Sequence, residues 1–136
     1  MDFIKSMAVA ASGLRAQAGR MRVIAENIAN SDSTAPRTGG EPYRRKVASF
    51  HSEVDRSLQA SVVGLGRVEM DQSEFRQKYE PGHPAADANG YVKYPNVNAL
   101  VEMADMREAQ RSYEANLNVI GATRRMIQRT LEILKA

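Results

Sequence analysis

The stretch FIKSMAVAASGLRAQAGRMRVIAENIAN, residues Phe3 to Asn30, carries the most regular pattern in the chain. Its apolar residues recur at alternating spacings of three and four, which is the periodicity of a coiled-coil seam, and this predicts one long helix over residues 3–30. At 1.5 Å per residue, such a helix is about 40 Å long. The seam positions are Ile4, Met7, Ala11, Leu14, Ala18, Met21, Ala25 and Ile28.

The same spacing returns at the other end of the chain and predicts a second helix over residues 98–136, about 55 Å long. Asn98 is suited to cap its first turn, and Glu102 and Asp105 lie early, where the helix dipole favours acidic side chains. Polar Gln110 and Arg124 interrupt the seam, which tends to fix the register of a coiled coil. The seam positions are Met103, Met106, Gln110, Tyr113, Leu117, Ile120, Arg124, Ile127, Leu131 and Leu134.

These patterns predict a mainly α fold, in which long N- and C-terminal helices form a coiled-coil-like pair with a small β-hairpin and loop subdomain between them. The corresponding regions are residues 1–30, 31–97 and 98–136. Outside its seam the first helix carries small residues almost all round, including Gly13 and Gly19. A glycine inside a helix costs about 1 kcal/mol relative to alanine. We therefore expect neighbouring backbones to approach this helix on several sides, as in a tube of many helices.

The middle region has weaker signals. NSDSTAPRTGGEP, Asn30 to Pro42, is rich in turn formers and predicts a loop. YRRKVASF, Tyr43 to Phe50, is a candidate short strand, while Ser61–Met70 and Glu74–Glu80 are candidates for the two arms of a hairpin. These segments contain too few apolar residues for a robust independent sheet.

Composition excludes several classes of protein. The 136 residues include no cysteine, so there is no thiolate nucleophile, disulfide framework or Cys-based metal site. The net charge of +3 is small, and only Tyr43–Lys46 forms a local basic run. No window approaches the roughly 18 apolar residues of a membrane span. The apolar run from Met7 to Ala11 is too short for the core of a signal peptide, so we expect any export to proceed without a cleaved leader.

The segment PGHPAADANGYVKYP, Pro81 to Pro95, has the composition of an active site but lacks the spacing of one. Neither His51 nor His83 has a second ligand at metal-binding distance along the chain. Asp87, followed by Asn89 and Gly90, is typical of a turn that enters a strand. We therefore predict no enzyme activity, no metal and no cofactor.

Three ordered motifs resemble the signatures of bacterial flagellar rod and hook proteins. ASGLRAQAGRMRVIAENIANSDST, from Ala11, resembles their N-terminal signature, with Asn27 and Asn30 in its AENIAN core. VNALVEMADMREAQRSYEANLNVIGATRRMIQRTLEIL, from Val97, resembles their C-terminal signature. Residues 81–97 are similar to a stretch particular to one kind of proximal-rod subunit. The loop from Ser31 to Glu41 is longer than the tight turn of the wider family, which favours that same subunit type.

The resemblance implies a structural subunit of the proximal rod in the flagellar basal body. Such subunits pass through the flagellar type III export apparatus into the periplasm and are not inserted in the membrane. They assemble helically with copies of themselves and with other rod subunits into a torque-transmitting shaft around the export channel. The resemblance, with the seam, predicts an assembly interface containing Leu14, Met21, Asn27, Ile28, Asn30, Tyr113, Asn116, Leu117, Ile120 and Ile127.

Two other functions are compatible with parts of the sequence. A small basic coiled-coil protein that binds nucleic acid would use Arg44, Arg45 and Lys46, and its binding would weaken with salt. A small hydrolase would have to be built around His83 from residues distant in the chain.

Overall fold

The computed structural model describes residues 2–136 and confirms a long helix at each end with short antiparallel strands between them. Asp2 caps the first helix through its carboxylate, which accepts from the backbone N–H groups of Ile4 and Lys5. Asn98 caps the second helix, as predicted, by accepting from the N–H of Leu100 at 3.1 Å. The elements in chain order are α1 (Phe3–Ala29), β1 (Lys46–Val47), β2 (Phe50–Asp55), β3 (Ala60–Leu65), β4 (Glu69–Met70), β5 (Arg76–Tyr79), β6 (Tyr91–Tyr94) and α2 (Ala99–Lys135).

The strands of residues 2–136 form three separate two-stranded sheets, β1 with β4, β2 with β3, and β5 with β6. The predicted hairpin between residues 61–70 and 74–80 is therefore wrong: β3 pairs with β2, and β5 pairs with β6. The predicted strand over residues 43–50 is reduced to β1 and the first residue of β2. The predicted turn before YVKY is confirmed, because Gly90 adopts a φ of 84° and Asp87 accepts from the N–H groups of Asn89 and Tyr91.

The chain divides into two compact units, and α1 and α2 each contribute to both. The first unit contains the chain up to Met21 together with residues 49–67 and 107–136. The second unit contains residues 22–48 and 68–106.

The first unit is packed through small side chains. Its fully buried hydrophobic residues are Ala10, Ala16 and Ala109. A Cβ added to Gly13 would lie 2.8 Å from the amide nitrogen of Asn116, so Gly13 permits the close approach of α2. Ser12, also buried, accepts from the N–H of Val63 at 3.1 Å and so satisfies one edge group of β3. Within one chain, therefore, the space beside Gly13 is filled by a side chain of α2, while the approach of further helices stays a prediction.

The second unit buries larger side chains. Val23 and Ile24 of α1 and Val92 and Val97 near the start of α2 are all buried, and Val92 is completely inaccessible. Val92 packs with Ala85, Ala86 and Tyr94 in a small apolar cluster. A buried valine or isoleucine contributes about 1.5–3 kcal/mol through the hydrophobic effect, against less than about 1 kcal/mol for the single methyl group of alanine.

Half of the predicted seam positions of α2 are not on its buried face. The residues that face inward there stand one position earlier in the sequence. Met106, Tyr113, Ile120 and Ile127 of the seam are at least half-buried. The intervening inward positions, however, are one residue earlier than predicted, at Glu102, Ala109, Asn116 and Thr123. The seam positions Met103, Gln110, Leu117, Arg124 and Leu131 are exposed, and we call these five residues the outward stripe.

Candidate assembly site

The residues predicted for assembly occupy three kinds of environment in the chain. Leu117 is exposed over 46% of its surface, and Asn27 is only 1% exposed. The others are half-buried: Leu14, Met21, Ile28, Asn30, Tyr113, Asn116, Ile120 and Ile127. Leu117 and the half-buried seam residues can therefore still contact another subunit, whereas the side chain of Asn27 serves the interior of its own chain.

The outward stripe places one residue per heptad on an uncovered face of α2. Leu117 and Leu131, two heptads apart, are about half exposed, and Leu134 follows with 76% of its surface exposed. Gln110 and Arg124 separate the apolar members of the stripe. Single exposed apolar residues are common on protein surfaces, but adjacent ones one turn apart, such as Leu131 and Leu134, are typical of a protein–protein contact.

Asn27, in the last turn of α1, is bonded through every donor and acceptor of its side chain. Its amide nitrogen donates to the carbonyl of Lys46 at 2.8 Å and to Glu102 at 3.2 Å. Its amide oxygen accepts from the N–H of Lys46 at 2.9 Å and from the hydroxyl of Tyr43 at 2.8 Å. Because an asparagine side chain offers two donors and two acceptors, this set is complete. Asn27 thus pairs with Lys46 as a neighbouring strand would.

Glu102, in the first turn of α2, is the buried acid of the same cluster, with 1% of its surface exposed. Its second oxygen accepts from Nε of Arg45, whose guanidinium also reaches Asp71 at 3.4 Å and Asp105 at 3.9 Å. A buried charge needs a partner and full hydrogen bonding to be tolerated. We call Asn27, Tyr43, Arg45, Asp71 and Glu102 the polar lock; all five lie in the second unit.

The pKa shifts in the polar lock favour a neutral Tyr43, a protonated Arg45 and an ionised Asp71. Burial, with the nearby carboxylates of Glu26 and Glu102, raises the pKa of Tyr43 to about 12, so its hydroxyl stays protonated as a donor. Burial alone would lower the pKa of Arg45, but the hydrogen bond and charge of Glu102 outweigh it and raise the pKa. The N–H of Ser73, with help from Arg45, lowers the pKa of Asp71.

Asn96 ties the polar lock to the segment that leads into α2. Its side-chain oxygen accepts from the N–H of Arg45 at 2.8 Å, and its amide donates to the carbonyl of Asp71 at 3.0 Å. Two residues later Asn98 caps α2. The start of α2 is therefore fixed by side-chain bonds to the loop that follows α1.

Sequence reasoning missed most of the polar lock. Glu102 was expected only as an acid near the helix N-terminus, and Arg45 as part of a basic run. One signal was available: Glu102, Ala109, Asn116 and Thr123 recur every seven residues as small or polar side chains, in parallel with the seam and one residue before it.

The candidate catalytic residues serve local turns. The ring nitrogen Nδ1 of His83 accepts from the N–H of Ala85 at 3.0 Å, and Asp87 accepts from the backbone that enters β6. Within residues 2–136, no cluster of three acidic or histidine side chains is arranged to hold a metal ion. No helix in the same range combines the length and apolar character needed to cross a membrane.

Both terminal regions of the chain match family models of flagellar rod proteins. Residues 7–35 match the family model described as "Flagella basal body rod protein". Residues 88–133 match the model described as "Flagellar basal body rod FlgEFG protein C-terminal". The class is therefore that of the flagellar rod proteins, with one rod signature on each terminal helix.

Relatives narrow this class to one family. The flagellar basal-body rod protein FlgC of Agrobacterium fabrum is 51% identical over 94% of this chain and 92% of its own length. FlgC of Bacillus subtilis is 40% identical over 99% of this chain and all of its own. FlgC of Salmonella typhimurium is 40% identical over 98% of both chains. The chain belongs to the FlgC family of flagellar basal-body rod proteins.

Proposed function

We propose that the protein is a structural subunit of the proximal rod, which assembles helically through the outward faces of its two terminal helices. The observation that carries this proposal is the outward stripe of α2, whose apolar members Met103, Leu117 and Leu131 are left uncovered in a chain whose relatives are rod proteins. Its neighbours are copies of itself and other rod subunits, and the assembled helices form the torque-transmitting shaft around the export channel.

In this proposal coiled-coil pairing occurs between subunits. Within one chain the inward face of α1 carries Ala10, Gly13 and Ala16, while the seam residues Leu14, Met21 and Ile28 remain partly accessible. The seam of α1 is thus available to the outward stripe of a neighbour. Residues 1–30 and 98–136 would form the axial core, and residues 31–97 would contact neighbours further out.

A structural role accords with the contacts of the candidate chemical groups. His83 and Asp87 are occupied by turn hydrogen bonds. An open depression of about 500 Å³ near the start of α2 is lined by polar residues such as Asp32 and Arg76 and by apolar ones such as Val97 and Leu100, without a histidine. We infer that the protein has no enzyme activity and needs no cofactor. We also infer that it passes through the type III export apparatus to the periplasmic rod.

The nucleic-acid alternative finds no support in the contacts of its basic run. Arg44 lies over the ring of Phe75, with 4.2 Å from its guanidinium carbon to the ring centroid. Arg45 is bound to Glu102, and Lys46 to Glu26. All three cations are therefore used within the chain, whereas a phosphate-binding stripe needs them free.

The test is Leu117→Asp, with Asn118→Asp as the matched control. Both variants add one carboxylate at neighbouring exposed positions, but only the first lies in the outward stripe. Because burying an unpaired carboxylate costs several kcal/mol, about 3–5 in mutational studies, Leu117→Asp should abolish rods and motility. In the free subunit the same change should leave helicity nearly unaltered. Normal rods in the Leu117→Asp strain would contradict the proposed interface.

A further inference from the structure

The two units of the chain differ in what holds them together, although α1 and α2 run through both. In the first unit every fully buried hydrophobic residue is an alanine, whereas Leu117, Leu131 and Leu134 are exposed. The second unit buries Val23, Ile24, Val92 and Val97 in addition to the polar lock. Since helices gain most of their stability from tertiary packing, different parts of the same helix should differ in stability.

The polar lock also admits only one register. The side chain of Asn27 pairs with both backbone groups of Lys46 while it donates to Glu102. A shift of α2 by one residue would replace Glu102 with an apolar neighbour and leave the guanidinium of Arg45 without its buried partner. Leaving one member of a buried ion pair unpaired is strongly unfavourable, and a fully satisfied buried network selects one arrangement.

We propose that the polar lock is a preformed register device of the free subunit. It keeps residues 22–29 of α1 and 99–106 of α2 folded and aligned, while the alanine-packed parts of both helices open readily. The boundary of stable structure then falls inside each helix, near Met21 and Met106, and not at the helix ends. On assembly the remaining turns of α1 and α2 would form outward from these folded segments, whose alignment is already fixed.

The test is amide hydrogen exchange on the full-length wild-type subunit, shown to be monomeric at the concentration used. We expect residues 22–29 and 99–106 to exchange at least tenfold more slowly than residues 6–21 and 110–130. Equal protection along the whole of either helix would overturn the proposal. The measurement uses no rod, so it fails or succeeds independently of the assembly interface tested with Leu117→Asp.

Two substitutions separate the polar lock from ordinary helix stability. Asn27→Ala should reduce protection of both segments at least tenfold, because it leaves Glu102, Tyr43 and Lys46 with unpaired groups. Asn30→Ala is the matched control, since Asn30 donates only to Glu26 one turn back and accepts from Ser33. It should change protection less than twofold.

A milder variant covers the case in which Asn27→Ala unfolds the whole subunit. Glu102→Gln keeps the shape of the side chain but removes the charge that faces Arg45, and should lower protection in the same two segments by a smaller factor. If either Asn27→Ala or Glu102→Gln leaves those segments as protected as in the wild type, the polar lock does not hold them and the proposal is wrong.

Discussion

The first unit packs closely because small residues leave room for neighbouring side chains, whereas the second unit buries Asn27 and Glu102 together with their hydrogen-bond partners. Gly13 has no side chain to obstruct Asn116, and Gly19 leaves room for the side chain of Leu65, 2.7 Å from the position of an added Cβ. In the second unit, by contrast, Asn27 and Glu102 are buried with all their bonding groups occupied. The first arrangement should therefore be damaged by added atoms and the second by removed ones.

The largest effect is expected from a deletion in the second unit. Glu102→Ala leaves the guanidinium of Arg45 without its buried partner and one N–H of Asn27 unpaired, which should cost about 3–5 kcal/mol. Urea unfolding of the free subunit, followed by circular dichroism, measures the change. As a control, Glu108→Ala removes an exposed carboxylate 3.5 Å from Arg20, and should cost no more than about 1 kcal/mol. Similar losses for both variants would remove the contrast between the buried and the exposed pair.

An addition in the first unit should come next. Gly13→Leu raises intrinsic helix propensity, yet the new side chain must displace Asn116, so we expect a net cost of about 1–3 kcal/mol. Because this part of α1 opens readily in the free subunit, its helicity should change little there, but rods should fail to assemble. Ala18→Leu, an addition at an exposed position of the same helix, should be tolerated in the free subunit. Normal rods from the Gly13→Leu variant would show that α2 does not approach Gly13 closely in the assembled subunit.

The smallest effect on stability is expected from Tyr43→Phe. The raised pKa of Tyr43 determines how this effect changes with pH. Tyr43→Phe removes a neutral hydrogen bond to Asn27, worth about 1 kcal/mol near neutral pH. Folding raises the pKa of Tyr43 from 10.0 to about 12, so its stabilising contribution is complete below pH 10 and is lost as the pH rises towards 12. The difference in unfolding free energy between wild type and Tyr43→Phe should therefore shrink over that range. Tyr79→Phe, which removes the hydroxyl of an exposed tyrosine, is the control substitution.

Local signals in the sequence were sufficient for the helices and for some of their boundaries. The seam periodicity located both helices to within one residue, and the caps at Asn98 and the turn at Asp87 follow from side-chain chemistry within a few positions. These features depend on neighbours in sequence, and so they can be inferred without knowing the fold.

Features that depend on distant residues were missed or misassigned. β5 was paired with the segment just before it, but its partner β6 lies beyond the turn that ends at Gly90. Glu102 could not be recognised as buried, because its partner Arg45 is 57 residues away. The inward face of α2 was placed partly on Leu117, since a large apolar residue is the usual core residue, but here the inward positions carry Asn116 and Ala109.

The offset between the inward face of α2 and its outward stripe has an evolutionary consequence. Asn116 and Leu117 are adjacent in sequence but contact different surfaces. Asn116 lies against Gly13 of the same chain, and Leu117, in our proposal, contacts a neighbouring subunit. Substitutions at Asn116 should therefore co-vary with positions on α1 of the same gene. Those at Leu117 should instead co-vary with positions of the neighbouring subunit, which lie in the same gene where the neighbour is another copy and in a different gene where it is another rod protein. The two helix faces can thus diverge at independent rates, which would let a rod change its neighbours without refolding its subunits.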